Sequence, residues 1–249
     1  MLRRVLRGAG FGALTAFSGA GVIVGVERAA GDTAKAEARD QWSGSWSRGL
    51  LRLFGIEVVV SGDPNVGGPA RVVVANHRSI IDIAVMLSLF GGAMVSRADV
   101  ERWPIMGRAA KGAGTIFVDR GSKRSGALTI QAMVDRLEKH DTVCLFPEGT
   151  TFVDDEVRPF KLGAFVAATR ARVPVVPVAL VYPRNSGAAY GGESFARHLS
   201  RLADTPRTRV HVEIGEPMAP LEGEDAPAFT ERVRLEVARL LAVGRARDS

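Results

Sequence analysis

The feature that most constrains this chain is the alternation, after residue 55, of short apolar runs with longer amphipathic ones. Runs typical of strands lie at 56–62, 70–76, 93–96, 115–119, 142–147, 173–182 and 208–215. Runs with helical length and periodicity lie at 79–90, 125–140, 161–171 and 226–244. Nearly continuous apolar strands are buried on both faces, which predicts an α/β fold with a mixed, largely parallel central sheet flanked by helices. The 208–215 run alternates instead, which predicts an exposed or edge strand.

Residues 1–54 have a different character and predict a membrane-associated helical segment ahead of an α/β domain at 55–249. A basic stretch at 1–7 precedes an uncharged run, up to Glu27, of about the length that crosses a bilayer. Trp42, Trp46, Leu50 and Phe54 then recur at helical spacing. An anchor, a cleaved signal peptide and a packed soluble helix remain open for the first run. The basic start favours the cytoplasmic face of the cell membrane, with peripheral attachment or one N-terminal anchor.

The charge and the cysteine content of the chain limit which partners and which kinds of site are expected. Lysine and arginine total 33 against 27 acidic residues, for a net charge of +6. Such a surface suits nucleic acid, anionic lipid or a phosphorylated substrate, although it is equally typical of a solvated basic surface. No motif supports nucleic acid, so we expect no nucleic-acid partner. The single cysteine, Cys144, lies in a predicted strand and is expected in the core, and the four histidines lack metal-site spacing.

His77 and Asp82 are the residues that the apolar pattern does not explain. They lie in VANHRSIIDIAVM (74–86), between a predicted strand and a helix with Ser79 as its N-cap. The structural alternative is that Asp82 caps this helix and His77 is a satisfied turn residue. On one continuous helix the two side chains would point about 140° apart. A turn between them removes that obstacle, so the carboxylate can hold one imidazole nitrogen while the other accepts a proton. No G-x-S-x-G nucleophile motif is present, which indicates that the substrate supplies the hydroxyl.

These residues also carry a resemblance to a known family. NHRSIID (76–82) resembles the N-H-x-x-x-x-D block of the glycerolipid acyltransferases, which include the lysophosphatidic acid acyltransferases. Three further blocks follow in the order of the family, namely RWPIMGRAAKGAGTIFVDR (102–120), FPEGT (146–150) and VPVVPVAL (173–180). Four blocks in order are a specific signal, and the similarity extends over about residues 42–220.

The resemblance implies the chemistry of acyl transfer. His77 would be the general base and Asp82 the residue that orients it. The hydroxyl of a lysolipid would attack the thioester of acyl-CoA or acyl-carrier protein, which is a co-substrate. No further cofactor and no metal is implied. Membrane lipid and the acyl donor would be the partners.

The resemblance also implies a set of substrate-binding residues. The third block would help form the acceptor site, in which Glu148 positions a cation or the acceptor glycerol; the alternative for Glu148 is an exposed turn. Arg120 is a candidate headgroup ligand. The full expected set is Asn76, Arg97, Gly114, Arg120, Glu148, Gly149, Thr150, Arg158 and Lys161.

Two positions depart from the pattern of the family. Arg97 stands where the second block often opens with lysine, and Thr151 stands where the third block commonly continues with arginine. The charge lost at Thr151 predicts that Arg158 and Lys161 supply a phosphate pocket beside the N-terminus of the following helix.

The leading hypothesis is therefore an acyltransferase that converts 1-acylglycerol 3-phosphate to phosphatidic acid. One alternative is a lyso-ornithine lipid O-acyltransferase, which the EGTT sequence at 148–151 resembles. An alternative of another class is a lipid hydrolase or thioesterase in which His77 activates water. A silent lipid-binding module is disfavoured because His77 and Asp82 are both intact.

Overall fold

A computed structural model of the chain describes residues 1–119, 121–184 and 186–247. The strands in these ranges are β1 (Ile56–Ser61), β2 (Arg71–Ala75), β3 (Ala93–Arg97), β4 (Ile116–Val118), β5 (Thr142–Leu145), β6 (Val175–Val181) and β7 (Thr208–Ile214). The α-helices are α1 (Leu2–Arg28), α2 (Gly31–Phe54), α3 (Ile81–Phe90), α4 (Met106–Gly112), α5 (Lys123–Leu137), α6 (Gly163–Ala171), α7 (Phe195–Asp204) and α8 (Ala226–Arg247). A short 3₁₀ helix occupies Ala98–Arg102.

The strands form one mixed sheet in the order β1-β7-β6-β2-β5-β3-β4. All neighbouring pairs are parallel except β6 and β7. The predicted fold class is therefore confirmed. The prediction of an edge strand at 208–215 is wrong, because β1 pairs with β7 along its length and β6 pairs on the other side. The alternation of β7 has another cause: Arg209 pairs with Glu57 of β1, and Glu213 pairs with Arg247 of α8.

Both faces of the sheet are covered, which explains the continuous apolar runs. Val73 and Ala75 of β2 join a core shared with α2, α3 and α7. Val72 and Val74 of the same strand join the opposite core, shared with α5, α6 and α8. Successive side chains of a strand point to opposite faces, so a strand between two helical layers is apolar at every position. Cys144 of β5 is buried as expected, and burial raises the pKa of its thiol.

Helix α2 runs unbroken through residues 43–45, where low helix propensity leaves room for a break. Ser43, Gly44 and Ser47 are all buried there. Tertiary burial therefore outweighs the low helix propensity of serine and glycine. Helices α4 and α7 and the 3₁₀ helix were not predicted, although Phe195, Leu199 and Leu202 of α7 recur at helical spacing.

Helix α1 packs along the domain through one face. It contacts α2, α4 and α7. The ring of Trp42 lies so close to Gly21 that any added Cβ would overlap it. At the N-terminal end Arg4 pairs with Asp204, and Arg7 donates to the carbonyl oxygen of Thr205. Arg4 and Arg7 belong to the basic stretch that was expected to favour the cytoplasmic face of the membrane. In the structure they bind the C-terminal end of α7.

The opposite face of α1 is apolar and open. Leu6 is 61% exposed and Phe17 is 69% exposed. Among the described helices, α1 alone is long and apolar enough to cross a membrane, with a mean hydropathy of 1.7 over its best window. It therefore has one face fixed to the domain and one face free to meet lipid.

Candidate active site

His77 and Asp82 meet at the carboxyl end of the central strand β2. His77 follows β2, and Asp82 lies in the first turn of α3. Nδ1 of His77 lies 2.8 Å from Oδ2 of Asp82. The Asp82 side chain is fully buried, whereas the imidazole is 17% exposed. An ionised carboxylate can only accept, so Nδ1 carries the proton and Nε2 keeps its lone pair. This is the arrangement of an oriented general base.

The turn between the two residues is held by the same carboxylate. Oδ2 of Asp82 accepts the backbone N–H of Arg78 at 2.7 Å and that of Ser79 at 2.8 Å. The predicted capping contacts of Ser79 are present, although α3 is assigned from Ile81 with Ile80 before it. The hydroxyl of Ser79 accepts the backbone N–H of Ile81 at 3.3 Å, while Asp82 accepts the N–H of Ser79. The same hydroxyl also lies 3.3 Å from Nε2 of His198.

Phe146 fixes the plane of the imidazole. This residue follows strand β5, the neighbour of β2 in the sheet. Its ring is stacked on that of His77 with centroids 4.0 Å apart and an interplanar angle of 6°. The ring of His77 is thus held by a hydrogen bond on its edge and by an aromatic face.

A buried ion pair lies beneath the turn. Oε1 of Glu148 accepts from the backbone N–H of His77 at 2.8 Å and from Nη1 of Arg78 at 3.0 Å. Oε2 of Glu148 accepts the backbone N–H of Arg158 at 3.0 Å. Glu148 is 6% exposed, so the exposed-turn alternative is wrong. The cation that Glu148 holds is the guanidinium of Arg78, so the chain itself occupies both of its oxygens.

The side chain of Asn76 also binds the protein backbone and is not available to a substrate. Its side chain is fully buried. Its Nδ2 donates to the carbonyl oxygen of Leu180 at 3.0 Å, and its Oδ1 accepts the N–H of Leu180 at 2.8 Å. This reciprocal pair ties the end of β2 to β6 one residue before His77. The expected contact of Asn76 with substrate is replaced by a structural role, because its amide is fully buried and bound to Leu180.

An apolar cavity of about 280 Å³ opens beside His77. Helices α1, α2 and α4 supply much of its wall, including Phe11, Val22, Trp42, Trp46 and Ala109. Of the expected substrate-binding residues that the structure describes, Arg97, Gly149 and Thr150 line this cavity, as does Thr151. The N-terminal helices are therefore part of the site.

The third block bends sharply beside the cavity. Gly149 has φ of +85°, a conformation that disfavours any residue with a Cβ. A Cβ at Gly149 would lie 2.9 Å from Cε of Lys161, so the lysine side chain passes over this glycine. The backbone N–H of Lys161 donates to the carbonyl oxygen of Pro147 at 3.0 Å. The Lys161 side chain thus covers the turn from outside the cavity wall.

Of the two residues of the predicted phosphate pocket, Arg158 is bound by carboxylates, whereas the side chain of Lys161 lies against Gly149 of the cavity wall. The guanidinium of Arg158 donates to Asp154 at 2.7 Å and also pairs with Glu156. Two carboxylates already neutralise this cation. Within the described residues, Arg97 is instead the expected cation that lines the cavity, where its side chain is 59% exposed and pairs with Asp99.

Of the two remaining expected residues, Gly114 does not enter this site. Gly114 lines a separate open depression together with Arg136. Its φ of +78° and the closeness of the Arg136 guanidinium explain why a glycine stands there. Arg120 lies outside the described residues. Among the described residues, no group of three or more His, Cys, Asp or Glu side chains is arranged to hold a metal ion.

Sequence reasoning missed two residues of the site. Arg78 is adjacent to His77 in the first block and reads as a surface charge. Tyr182 follows β6, two residues after the fourth block, and its hydroxyl lies 2.5 Å from Oδ1 of Asp82. Burial and the nearby carboxylate raise the pKa of this phenol well above its usual range. Neither residue shows a sequence signal, because their partners are about 70 and 100 residues away.

Comparison with known proteins adds the family to this geometry. A family model described as Acyltransferase matches residues 57–181, about half of the chain and the part that holds His77, Asp82 and Glu148. A lyso-ornithine lipid O-acyltransferase of Pseudomonas aeruginosa is 32% identical over 208 residues, which cover 81% of this chain and 78% of that protein.

Two further similarities concern proteins named for phosphate-bearing acceptors. A 1-acyl-sn-glycerol-3-phosphate acyltransferase of Neisseria meningitidis is 27% identical over 83% of both chains. The crystal structure of the 1-acyl-sn-glycerophosphate (LPA) acyltransferase PlsC from Thermotoga maritima aligns with a TM-score of 0.77 at 21% identity. That alignment covers 99% of this chain and 96% of the other, so the similarity of fold includes the N-terminal helices.

Proposed function

The chain belongs to the acyltransferase family, and from that premise we propose that it transfers an acyl group from acyl-CoA or acyl-carrier protein to the hydroxyl of a lysolipid. We propose 1-acylglycerol 3-phosphate as the acceptor, which gives phosphatidic acid. The observation that carries this proposal is the 2.8 Å bond between His77 and Asp82 in the wall of an apolar cavity. A base that opens into apolar space suits a lipid substrate that brings its own hydroxyl.

The proposed reaction uses Nε2 of His77 twice. Nε2 accepts the proton of the acceptor hydroxyl while the oxygen attacks the thioester carbonyl carbon. The carbon–sulfur bond then breaks, and the imidazolium returns the proton to the departing thiolate. Asp82 holds the tautomer and stabilises the imidazolium between these steps. The products are the acylated lipid and the free thiol of the donor.

The apolar cavity would hold a hydrocarbon chain. Its lining by Val22, Trp42 and Trp46 of the N-terminal helices supports this assignment. An acyl chain placed there would bring its thioester to His77 at the mouth. The helices that touch the membrane would then also form the chain-binding site, since α1 contributes to both surfaces.

Arg97 supports a phosphate-bearing acceptor. Its guanidinium lines the cavity and is still more than half exposed although it pairs with Asp99. A guanidinium can bind a phosphate with two parallel hydrogen bonds. The phosphate of the acceptor would then exchange with Asp99 as the partner of Arg97.

A lyso-ornithine lipid, which has no phosphate, is the second candidate acceptor. Two observations favour it. Thr151 lines the cavity where relatives commonly carry a cation, and the charge of Arg158 is taken up by Asp154 and Glu156. The similarity to the Pseudomonas aeruginosa protein supports the same candidate.

Attachment to the membrane would occur through the open face of α1. We propose peripheral attachment, because the other face of α1 is packed on α2 and α4. The proposed cytoplasmic side rests separately on the basic stretch at residues 1–7. A helix fixed in this way lies along the domain, and its exposed Leu6 and Phe17 would enter the lipid interface.

The test is a panel of lysolipids offered to purified protein with labelled acyl-CoA and labelled acyl-carrier protein. We expect labelled phosphatidic acid from 1-acylglycerol 3-phosphate, and none above background with His77→Ala. If the protein acylates lyso-ornithine lipid in clear preference to 1-acylglycerol 3-phosphate, lyso-ornithine lipid is its acceptor. Release of free fatty acid that is independent of any lysolipid would identify a hydrolase, and undiminished transfer by folded His77→Ala would remove the mechanism.

A further inference from the structure

Tyr182 is buried behind the His77–Asp82 pair, on the side away from the apolar cavity. It follows strand β6, which lies beside β2 in the sheet. It is 6% exposed and packs in the core shared with α2, α3 and α7. Its hydroxyl donates to Oδ1 of Asp82 across 2.5 Å. The residue therefore touches the pair only through the second oxygen of the carboxylate.

The two carboxylate oxygens of Asp82 accept hydrogen bonds from different donors. Oδ2 accepts from Nδ1 of His77 and from the backbone N–H groups of Arg78 and Ser79. Oδ1 accepts from Tyr182. Those backbone donors belong to the turn that carries His77, so they move with it. Tyr182 ties the carboxylate to a different element, the central sheet.

Rotation of the carboxylate decides whether an oxygen lies in line with Nδ1 of the imidazole. The terminal torsion of an aspartate is broad and roughly two-fold, so packing alone fixes it weakly. A buried carboxylate oxygen without a donor is also costly. The raised pKa of the phenol keeps its proton in place as a donor over the working pH range. One hydrogen bond thus satisfies Oδ1 and fixes the torsion.

We propose that Tyr182 is a positioning residue for acyl transfer, whose hydroxyl fixes the plane of the Asp82 carboxylate so that one carboxylate oxygen stays in line with Nδ1 of His77. This inference rests on the proposed function for its kinetic consequence. Tyr182 touches neither the cavity that His77 lines nor a reacting atom; it lies in the wall of a polar depression on the other side of Asp82. It acts through Asp82 alone.

Tyr182→Phe separates positioning from packing, because it keeps the ring and removes the hydroxyl. The expected result is a kcat about ten- to a hundredfold lower, the range of a lost charge-assisted hydrogen bond. KM for the lysolipid and for the acyl donor stays roughly unchanged, since the cavity is untouched. A wild-type kcat in the folded variant would overturn the proposal, as would a loss confined to KM.

A double-mutant cycle gives a readout that a packing role would not move. If Tyr182 acts through Asp82, then Asp82→Asn already removes what the hydroxyl positions. Tyr182→Phe should therefore cost little in the Asp82→Asn background. An equal proportional loss of kcat in both backgrounds would overturn the proposal. A Tyr182→Phe variant that fails to fold would also overturn the proposal, because the hydroxyl would then be needed for folding and not for positioning.

A spectroscopic measurement makes the outcome independent of acyl transfer. The proton on Nδ1 of His77, bonded to Asp82, should give a downfield proton resonance that is lost in His77→Ala. We expect Tyr182→Phe to move or broaden this resonance, and an unmoved resonance would overturn the proposal. If no lysolipid in the panel accepts an acyl group, the proposed function fails, while this resonance still decides whether Tyr182 positions the pair.

Discussion

Glu148 and Arg78 form a buried ion pair directly beneath the turn that carries His77. Oε1 of Glu148 lies 3.0 Å from Nη1 of Arg78, with side chains 0% and 5% exposed. The same oxygen accepts the backbone N–H of His77. The residue that marks the third block is thus bound to the first block, and the two blocks form one structural unit.

Removing one member of this pair should destabilise the protein. Glu148→Gln leaves the guanidinium of Arg78 buried without its counter-ion. Loss of one partner of a buried pair costs about 3–5 kcal/mol in the free energy of unfolding. Urea denaturation measures this loss. The control is Glu236→Gln, which breaks the pair with Arg239 on the surface of α8 and should cost less than about 1 kcal/mol. Equal costs for the two variants would contradict the structural role of Glu148.

The acceptor phosphate should depend on Arg97 and not on Arg158. Arg97→Ala removes a guanidinium that lines the cavity, so KM for 1-acylglycerol 3-phosphate should rise about tenfold or more, as for a charge-assisted contact. Arg158→Ala removes a cation that is already paired with Asp154 and Glu156, so KM should change little. Steady-state kinetics at fixed acyl donor tests both. A larger rise in KM for Arg158→Ala than for Arg97→Ala would instead support the phosphate pocket predicted from the sequence.

Binding to membranes should depend on the open face of α1. Phe17→Asp removes an exposed aromatic ring from the lipid interface and should weaken sedimentation with phospholipid vesicles about ten- to a hundredfold, because burying such a side chain is worth about 1.5–3 kcal/mol. Leu235→Asp is the matched control, since Leu235 is 54% exposed on α8. Equal sedimentation of both variants and wild type would show that α1 does not carry the attachment.

Stability should fall in mildly acidic solution because of His198. This residue is fully buried, and burial holds the pKa of its imidazole below the usual 6.5, with Glu193, Arg201, Ser79 and Tyr190 around it. The unfolded chain therefore binds a proton that the folded chain does not. The free energy of unfolding therefore begins to decrease as the pH falls below about 6.5, by at most about 1.4 kcal/mol per pH unit.

The measurement is urea unfolding at pH 7.5 and at pH 5.5. His198→Gln should lose less stability between the two pH values than wild type does. His140→Asn is the control, since the side chain of His140 is exposed. A wild-type loss equal to that of His198→Gln would assign the acid sensitivity to other groups.

Much of the site was visible in the sequence because its signals are local. The change from strand to helix between His77 and Asp82 predicts a turn that lets the two side chains meet, and the structure joins them. Glu148 and Gly149 were also marked by their block. The residues that Glu148 and Gly149 contact were not predicted, because the order of residues along the chain does not show which strands are neighbours in the sheet.

Local patterns along the chain suffice to predict the fold class, since period-two and period-3.6 patterns of apolar residues report burial directly. Which polar groups bind one another follows only from the folded chain. Arg78 and Tyr182 bind carboxylates about 70 and 100 residues away, which strand order brings close, whereas Arg158, predicted as a phosphate ligand, is bound by the nearby Asp154 and Glu156. The same applies to β7, whose alternation indicates an edge that β1 covers. Strand neighbours and ion-pair partners depend on long-range contacts, and those exist only once the chain has folded.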